Sequence, residues 1–247
     1  QLEEEGIPVS VRGKDPGAAE ADFFVYSSAI SVNHPQRELD RRLKITAFHR
    51  AEVLASFFNR AATSLGVTGT HGKTTTASMI SYVLTQMGQK PTCCVGGDLV
   101  NYGTNSLPER PDLWVAEIDE SDKTQKFFSP DYLVLTNLEQ DHVDHYKSAE
   151  ELKNSIRRFA GQLSGPGLVI YSDEDNWSRE IVEGLSVPRL RTGLSRGCDF
   201  SADQIKMNAL ETSFDLLECG QFVYRVFLSV PGRHNIANAL MCLAAVA

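Results

Sequence analysis

Between Gly66 and Thr76 the chain reads GVTGTHGKTTT, and these residue types are suited to holding phosphate. Gly69 and Gly72 let the backbone curl with its N–H groups pointing inward, and a helix beginning just after them would set its positive end against the same anion. Lys73 would place charge on the β- and γ-phosphates, and the hydroxyl of Thr74 would be a magnesium ligand. The stretch departs from the common nucleotide loop G-x-x-x-x-G-K-[ST], because Val67 stands five places before Gly72 and the glycine sits one place earlier, at Gly66. A glycine-rich turn with an incidental lysine has similar letters. Here strand, glycines, Lys-Thr pair and helix follow one another in the order a phosphate loop requires.

Three other polar clusters each immediately follow a strand-like run. LWVAEIDESD (Leu113 to Asp122) is an apolar run ending at Glu117, with Asp119, Glu120 and Asp122 behind it. It is either a solvated acidic loop or the carboxylate a phosphate-loop enzyme needs opposite Thr74, since Mg²⁺ binds through one or two carboxylates plus phosphates. TNLEQDHVDHY (Thr136 to Tyr146) follows YLVL and sets His142 among Glu139, Asp141 and Asp144, as an imidazole ligand for a second metal or a surface histidine screened by carboxylates. PGRHNIANAL (Pro231 to Leu240) puts Asn235 and Asn238 on one helical face, where two amides can read the donor and acceptor of a purine edge.

The elements that must position these clusters follow from the pattern of apolar runs. Strand-length runs alternate with helical patterns, the signature of a parallel α/β sheet. ADFFVYSSAI reads as a strand, PQRELDRRL as a helix, KITAFH as a strand and RAEVLASFFNRA as a helix, which together make the later part of a Rossmann-like unit. A boundary is expected near Ala62 to Ser64. Beyond it, TSLGVTG, PTCCVGG, DLWVAEI, DYLVLTNL and GLVIYS read as strands, with helices through KTTTASMISYVLTQMG and SAEELKNSIRRFAGQL. Ser148 followed by Glu151 is a capping-box pattern for the second helix. Residues 201–230 alternate apolar and polar like antiparallel strands. The fold class is therefore α/β: a partial Rossmann-like domain, residues 1–62, then a phosphate-loop domain, residues 63–247, with a mostly parallel sheet and a small antiparallel portion. Ligands of such sheets gather beyond the carboxyl ends of the strands, so all the clusters are expected to face one crevice.

Bulk properties narrow the ligand class. With 247 residues, 42% of them apolar and 23% charged, the chain has the composition of an ordinary globular protein. Its net charge of −8 gives no general affinity for nucleic acid or for an acidic membrane, so an anionic ligand needs a local site. No apolar run has the length of a membrane helix. Five cysteines without a C-x-x-C pair point to a reducing compartment, and a cytoplasmic location is expected. Cys93 and Cys94 read as small buried hydrophobes. The chain starts without methionine and stops inside an apolar helical pattern, so it reads as part of a longer protein.

Together GTHGKTT, AEIDESD, TNLEQDHVDHY and GRHNIANAL resemble the Mur ligases of peptidoglycan synthesis, and most nearly the members that join L-alanine to UDP-N-acetylmuramate. The loop of that family is G-T-x-G-K-[ST], which accounts for Val67. His71 and the DESD element favour the alanine-adding type. The resemblance extends to ADFFVYSSAI and HRAEVLASFF, similar to the end of the family's UDP-sugar-binding domain, and it implies a further amino-acid-binding domain beyond Ala247. It also implies ATP and Mg²⁺ as cofactors, with Gly69, Thr70, His71, Gly72, Lys73, Thr74 and Thr75 around the phosphates and Asn235 and Asn238 at adenine. Thr74 and Glu117 would hold one magnesium and His142 a second. Lys73, Glu117 and His142 would carry the chemistry, and Ser27 and Ser28 would lie near the UDP-sugar. The substrates implied are UDP-N-acetylmuramate and L-alanine, joined through an acyl phosphate, and the 247 residues alone are expected to bind nucleotide without turnover. Two alternatives stand beside this reading: a murein-peptide-recycling or folylpolyglutamate-synthase-like ligase, and a nucleotide-binding module that does not catalyse.

Overall fold

A computed structural model describes residues 6–9, 21–139, 146–165 and 167–247. The chain forms two compact units, residues 1–56 and 57–247, which divide a few residues before the boundary expected from the sequence. In the first unit β1 (Phe23–Tyr26) and β2 (Thr46–His49) pair in parallel, with Phe23 opposite Thr46 and Tyr26 opposite His49. The crossover between them is α1 (Pro35–Leu43), which carries Glu38 in its first turn and Arg41 and Arg42 in its last, the charge order that suits a helix dipole. α2 (Arg50–Phe58) follows β2 directly.

The second unit opens with β3 (Thr63–Thr68), α3 (Lys73–Gln86), β4 (Pro91–Leu99), β5 (Thr104–Leu107) and β6 (Arg110–Glu117). A 3-10 turn (Thr124–Phe127), β7 (Tyr132–Leu135), α4 (Ala149–Ala160), β8 (Leu168–Ser172) and α5 (Asn176–Glu183) come next. It closes with β9 (Arg189–Gly193), β10 (Phe200–Met207), β11 (Thr212–Glu218), β12 (Gln221–Leu228) and α6 (Arg233–Val246). Its strands form one sheet of ten in the order β12-β11-β10-β9-β8-β7-β3-β6-β4-β5. The middle of the sheet is parallel. Antiparallel pairs occur at its ends, β4 with β5 on one side and β10 with β11 and β11 with β12 on the other. This is the mostly parallel α/β sheet with a small antiparallel portion that the sequence implies.

Helices cover both faces of the central strands. Val134 of β7 and Ile170 of β8 belong to the same buried cluster as Ala77 and Ile80 of α3 and Ile236 and Leu240 of α6. Their strand neighbours Leu133, Leu135 and Val169 are equally buried and, by the two-residue period of a strand, point to the opposite face. There α5 packs on β8 and α4 packs on α5. Strands buried on two faces need near-continuous apolar residues, which is why Leu65–Val67, Val115–Ala116 and Leu133–Leu135 were legible as runs.

Three elements lack that signal. β5, TNSL, is an edge strand held by pairing with β4 and buries little, so no alternating apolar pattern marks it. β9, RLRTG, has a single large apolar residue and is held by its pairing with β8 and β10. α5 is eight residues long and is specified at its start by the Asp175 carboxylate, which accepts the Ser178 N–H. The expected capping box at α4 is half formed. Ser148 Oγ accepts the Glu151 N–H at 3.2 Å, but the Glu151 carboxylate accepts the N–H of Lys147 at 2.8 Å rather than that of the cap residue.

Candidate nucleotide site

β3 lies between β6 and β7 and pairs in parallel with both, Val67 opposite Glu117 on one side and opposite Val134 on the other. The segments that leave these three strands therefore emerge side by side at one end of the sheet. They are the glycine loop, the acidic segment from Glu117, and the segment from Thr136. The first three clusters, so far as they are described, thus start at one end of the sheet, and the fourth reaches the loop through Asn238, beside Gly72.

The loop is shaped by two glycines in conformations that side-chain-bearing residues rarely adopt. Gly69 has φ +129°, and a Cβ there would meet the Thr136 hydroxyl and fall 2.6 Å from the Asn137 carbonyl oxygen. Gly72 has φ +81°, and a Cβ there would fall 2.7 Å from Asn238 Oδ1. Gly72 caps α3 without a side-chain hydrogen bond, and the first turn holds no acidic residue. By contrast α4 and α5 are capped by Ser148 and Asp175. The N–H groups at the start of α3 and its positive dipole end are thus left to the loop.

Lys73 opens α3 and folds back over that loop. Its Nζ donates to the carbonyls of Gly69 at 2.6 Å and Thr70 at 3.3 Å, and to Glu120 Oε2 at 3.1 Å and Oε1 at 3.4 Å. The Lys73 side chain is 12% exposed and that of Glu120 is fully buried. Burial pushes the Glu120 carboxyl above its ordinary value, and the Lys73 ammonium pulls it back only in part. The backbone oxygen of Glu120 accepts the Tyr146 hydroxyl at 2.7 Å, and Tyr146 in turn accepts from Gln125 Nε2 at 3.0 Å, so the acidic segment is tied to the 3-10 turn that follows it.

Next to this pair, Thr74 Oγ1 donates to Glu117 Oε2 at 2.8 Å, and the same carboxylate oxygen accepts the Gly96 N–H at 2.7 Å. A Cβ on Gly96 would sit 3.0 Å from both Glu117 oxygens, so β4 comes this close only because that residue is glycine. Two oxygens in neighbouring positions of a magnesium octahedron, with bonds of about 2.1 Å, lie about 3 Å apart. The Thr74 and Glu117 oxygens are hard donors at that spacing, so this pair fits the ion.

The segment after β7 braces the loop from behind. Asn137 Oδ1 accepts the His71 N–H at 3.0 Å, its Nδ2 donates to the His71 carbonyl at 2.9 Å, and its own carbonyl accepts the Thr70 N–H at 2.8 Å. Thr70 Oγ1 accepts the Glu139 N–H at 3.0 Å. Asp175 then ties this segment to α5, because its Oδ2 accepts both Leu138 N–H and Ser178 N–H. The His71 ring is exposed, 3.7 Å from the Glu139 carboxylate, and Thr75 is exposed on the first turn of α3. His142, expected at a second metal, lies outside the described residues.

Of the two asparagines of α6, Asn238 is buried against Gly72, whereas Asn235 turns back, its Nδ2 donating to the Pro231 carbonyl at 2.7 Å. Ser27 and Ser28 belong to the first unit, beyond the end of β1. Ser28 Oγ is 2.9 Å from His49 Nε2, and His49 Nδ1 accepts the Ala51 N–H at 3.2 Å, which leaves the ring proton on Nε2 as donor to the serine. Sequence reasoning missed Glu120, Asn137 and Gly96. Glu120 stands in a run of four acidic or hydroxyl residues that nothing ranks, and Gly96 lies in the stretch PTCCVGG, which reads as a strand with two cysteines and offers no sign that a carboxylate approaches its backbone. Of the two cysteines in that stretch, Cys93 is a core residue whose thiol burial pushes up, whereas Cys94, expected to be buried as well, is only half-buried.

Residues 67–246 match the Mur ligase middle domain. Over 99% of its length the chain is 34% identical to UDP-N-acetylmuramate–L-alanine ligase of Carboxydothermus hydrogenoformans and 36% identical to that of Gloeobacter violaceus, covering 53% and 52% of those proteins. It spans about half the length of these curated relatives. Among solved structures, UDP-N-acetylmuramate–alanine ligase of Thermotoga maritima superposes with a TM-score of 0.84 at 25% identity, over 99% of this chain and 55% of the other. The UDP-N-acetylmuramate:L-alanyl-γ-D-glutamyl-meso-diaminopimelate ligase of Neisseria meningitides does so with 0.83 at 27%, over 99% and 80%.

Proposed function

The chain belongs to the Mur ligase family, and on that premise we propose that it serves an ATP-dependent ligase that joins L-alanine to UDP-N-acetylmuramate. The observation that carries the nucleotide half of this reading is the Lys73, Thr74 and Glu117 constellation at the adjacent ends of β3 and β6. The choice of acid and amine follows the relatives named for that reaction, to which the chain is similar along nearly its whole length.

In this reading the carboxylate of the muramyl acid attacks the γ-phosphorus of ATP, the bond to the β-phosphate oxygen breaks, and ADP leaves an acyl phosphate. The amine of alanine then attacks the acyl carbon, loses a proton and expels phosphate as the amide forms. Lys73 and the open N–H groups of α3 hold the transferred phosphoryl, where positioning and electrostatics supply most of the rate. Thr74 and Glu117 would hold Mg²⁺, which when bound neutralises phosphate charge. Gly69 to Thr75 are assigned to the phosphates and Asn238, buried beside Gly72, to the base, while Asn235 would first have to release the Pro231 carbonyl to reach it. His142 is assigned to a second metal. Residues 1–62, with Ser27 and Ser28, are assigned to the UDP-sugar, and residues 63–247 to ATP.

ADP release by the full-length protein, supplied with UDP-N-acetylmuramate and one amino acid at a time, tests the assignment. A response to L-alanine is expected, and its absence would overturn the choice of amine. The similarity to the Neisseria ligase supports a second reading, in which the incoming group is the tripeptide L-alanyl-γ-D-glutamyl-meso-diaminopimelate. ADP release with that tripeptide and not with alanine would favour it. A Lys73→Ala variant that keeps a nucleotide-dependent thermal shift would count against the loop itself.

A further inference from the structure

The Lys73 ammonium has three protons, and the structure engages all of them. Two go to carbonyls of the loop, Gly69 and Thr70, and one to a carboxylate outside it, that of Glu120. The first two acceptors belong to the backbone that encloses the phosphates and move with it. Glu120 arrives from the other side, on the segment after β6, and is anchored there by the Tyr146 hydroxyl on its carbonyl. Its side chain has no exposure to solvent. A buried carboxylate is costly unless a cation stays beside it, so the pair holds Lys73 in one orientation.

An incoming phosphate brings negative charge to an ammonium that Glu120 already faces. Building on the nucleotide reading above, we propose that Glu120 is a positioning residue for Lys73, with two opposed effects. Its carboxylate aims the ammonium across the loop, which favours phosphoryl transfer, and its charge competes with the phosphates for that ammonium, which weakens ground-state binding of nucleotide. Neither Asp119 nor Asp122 does this. Their carboxylates cap their own loop, accepting Ser121 N–H and Thr124 N–H respectively.

Glu120→Gln removes the charge and keeps the shape. Calorimetric titration of the chain with Mg·ADP should give a dissociation constant about three- to tenfold lower than that of the parent, the size expected for one charge lost near the phosphates in a partly screened site. In the full-length ligase the same variant should lower kcat about tenfold or more, because Lys73 is no longer aimed. Glu120→Asp keeps the charge and loses reach, so its affinity should stay within about twofold of the parent while kcat falls. A merely structural role would move affinity and stability down together and would not give tighter binding with slower turnover. Affinity of Glu120→Gln equal to or weaker than the parent overturns the proposal. Should Glu120→Gln not fold, Glu120→Asp decides, and an unchanged kcat there overturns it. If the folded parent binds no Mg·ADP, the nucleotide reading fails and this proposal falls with it; if the parent binds and the variants do not separate affinity from turnover, only this proposal fails.

Discussion

Asn137 holds His71 by both ends of its backbone unit, accepting the N–H at 3.0 Å and donating to the carbonyl at 2.9 Å. A side-chain amide therefore imitates one rung of a β-ladder and fixes the crest of the glycine loop. Asn137→Ala removes both bonds at an exposed place, so the global cost should be only about 1 kcal/mol. The local cost falls on the loop. Mg·nucleotide affinity should drop by roughly fivefold or more while the thermal midpoint without nucleotide moves little. Equal losses in both measurements would contradict a role confined to the loop.

Gly69 and Gly72 should differ in their tolerance of alanine. At Gly69 the new Cβ meets the Asn137 backbone, which cannot swing aside, whereas at Gly72 it meets the amide oxygen of Asn238, a side chain. Both also require a positive φ. Urea unfolding should show a loss of about 2 kcal/mol or more for Gly69→Ala and a smaller loss for Gly72→Ala. The reverse order would mean that the Asn238 contact is the stiffer of the two.

Thr74→Val keeps shape and removes the hydroxyl that Glu117 accepts. Affinity for ADP measured without magnesium should change by no more than about twofold, while the gain on adding magnesium should be mostly lost. A variant that responds to magnesium like the parent would contradict the proposed role of Thr74 as a magnesium ligand.

The pH dependence of stability has a definite sign. Burial holds the Glu120 carboxyl above its ordinary value, so the folded chain binds that proton more tightly than the unfolded chain does. Its contribution is full below the ordinary glutamate range and is lost as pH rises through the raised, folded-state value. Urea midpoints of parent and Glu120→Gln, compared from roughly pH 4 to pH 7, should therefore diverge, the parent losing ground toward neutrality. A gap that is constant, or that grows in the parent's favour, would contradict this.

Most of the sheet could be read from the chain because its central strands are buried on two faces and are therefore near-continuously apolar. Lys73, Thr74 and Glu117 were legible for a related reason: each sits at the end of such a strand or the start of a helix, where a polar residue stands out. Glu120 and Asn137 were not. Their roles depend on partners contributed by the segment that follows β3, Lys73 for one and His71 for the other, and letters near either residue do not show that β3 lies between β6 and β7. Asn235 and Asn238 share one helical face in the sequence, yet the start of α6 turns the first to Pro231 and buries the second. β5 and β9 were missed because pairing, rather than burial, holds them.

The placement of β3 between two strands that come much later in the chain also governs when the site can exist during folding. The loop at Gly69 leans on Thr136 and Asn137, and Lys73 on Glu120, so no contiguous segment carries a partial version with useful affinity. The strand pairings that create it are non-local and form late. On the proposed reading, nucleotide would bind the finished sheet alone, raising the unfolding midpoint by mass action and slowing unfolding while leaving the refolding rate nearly unchanged.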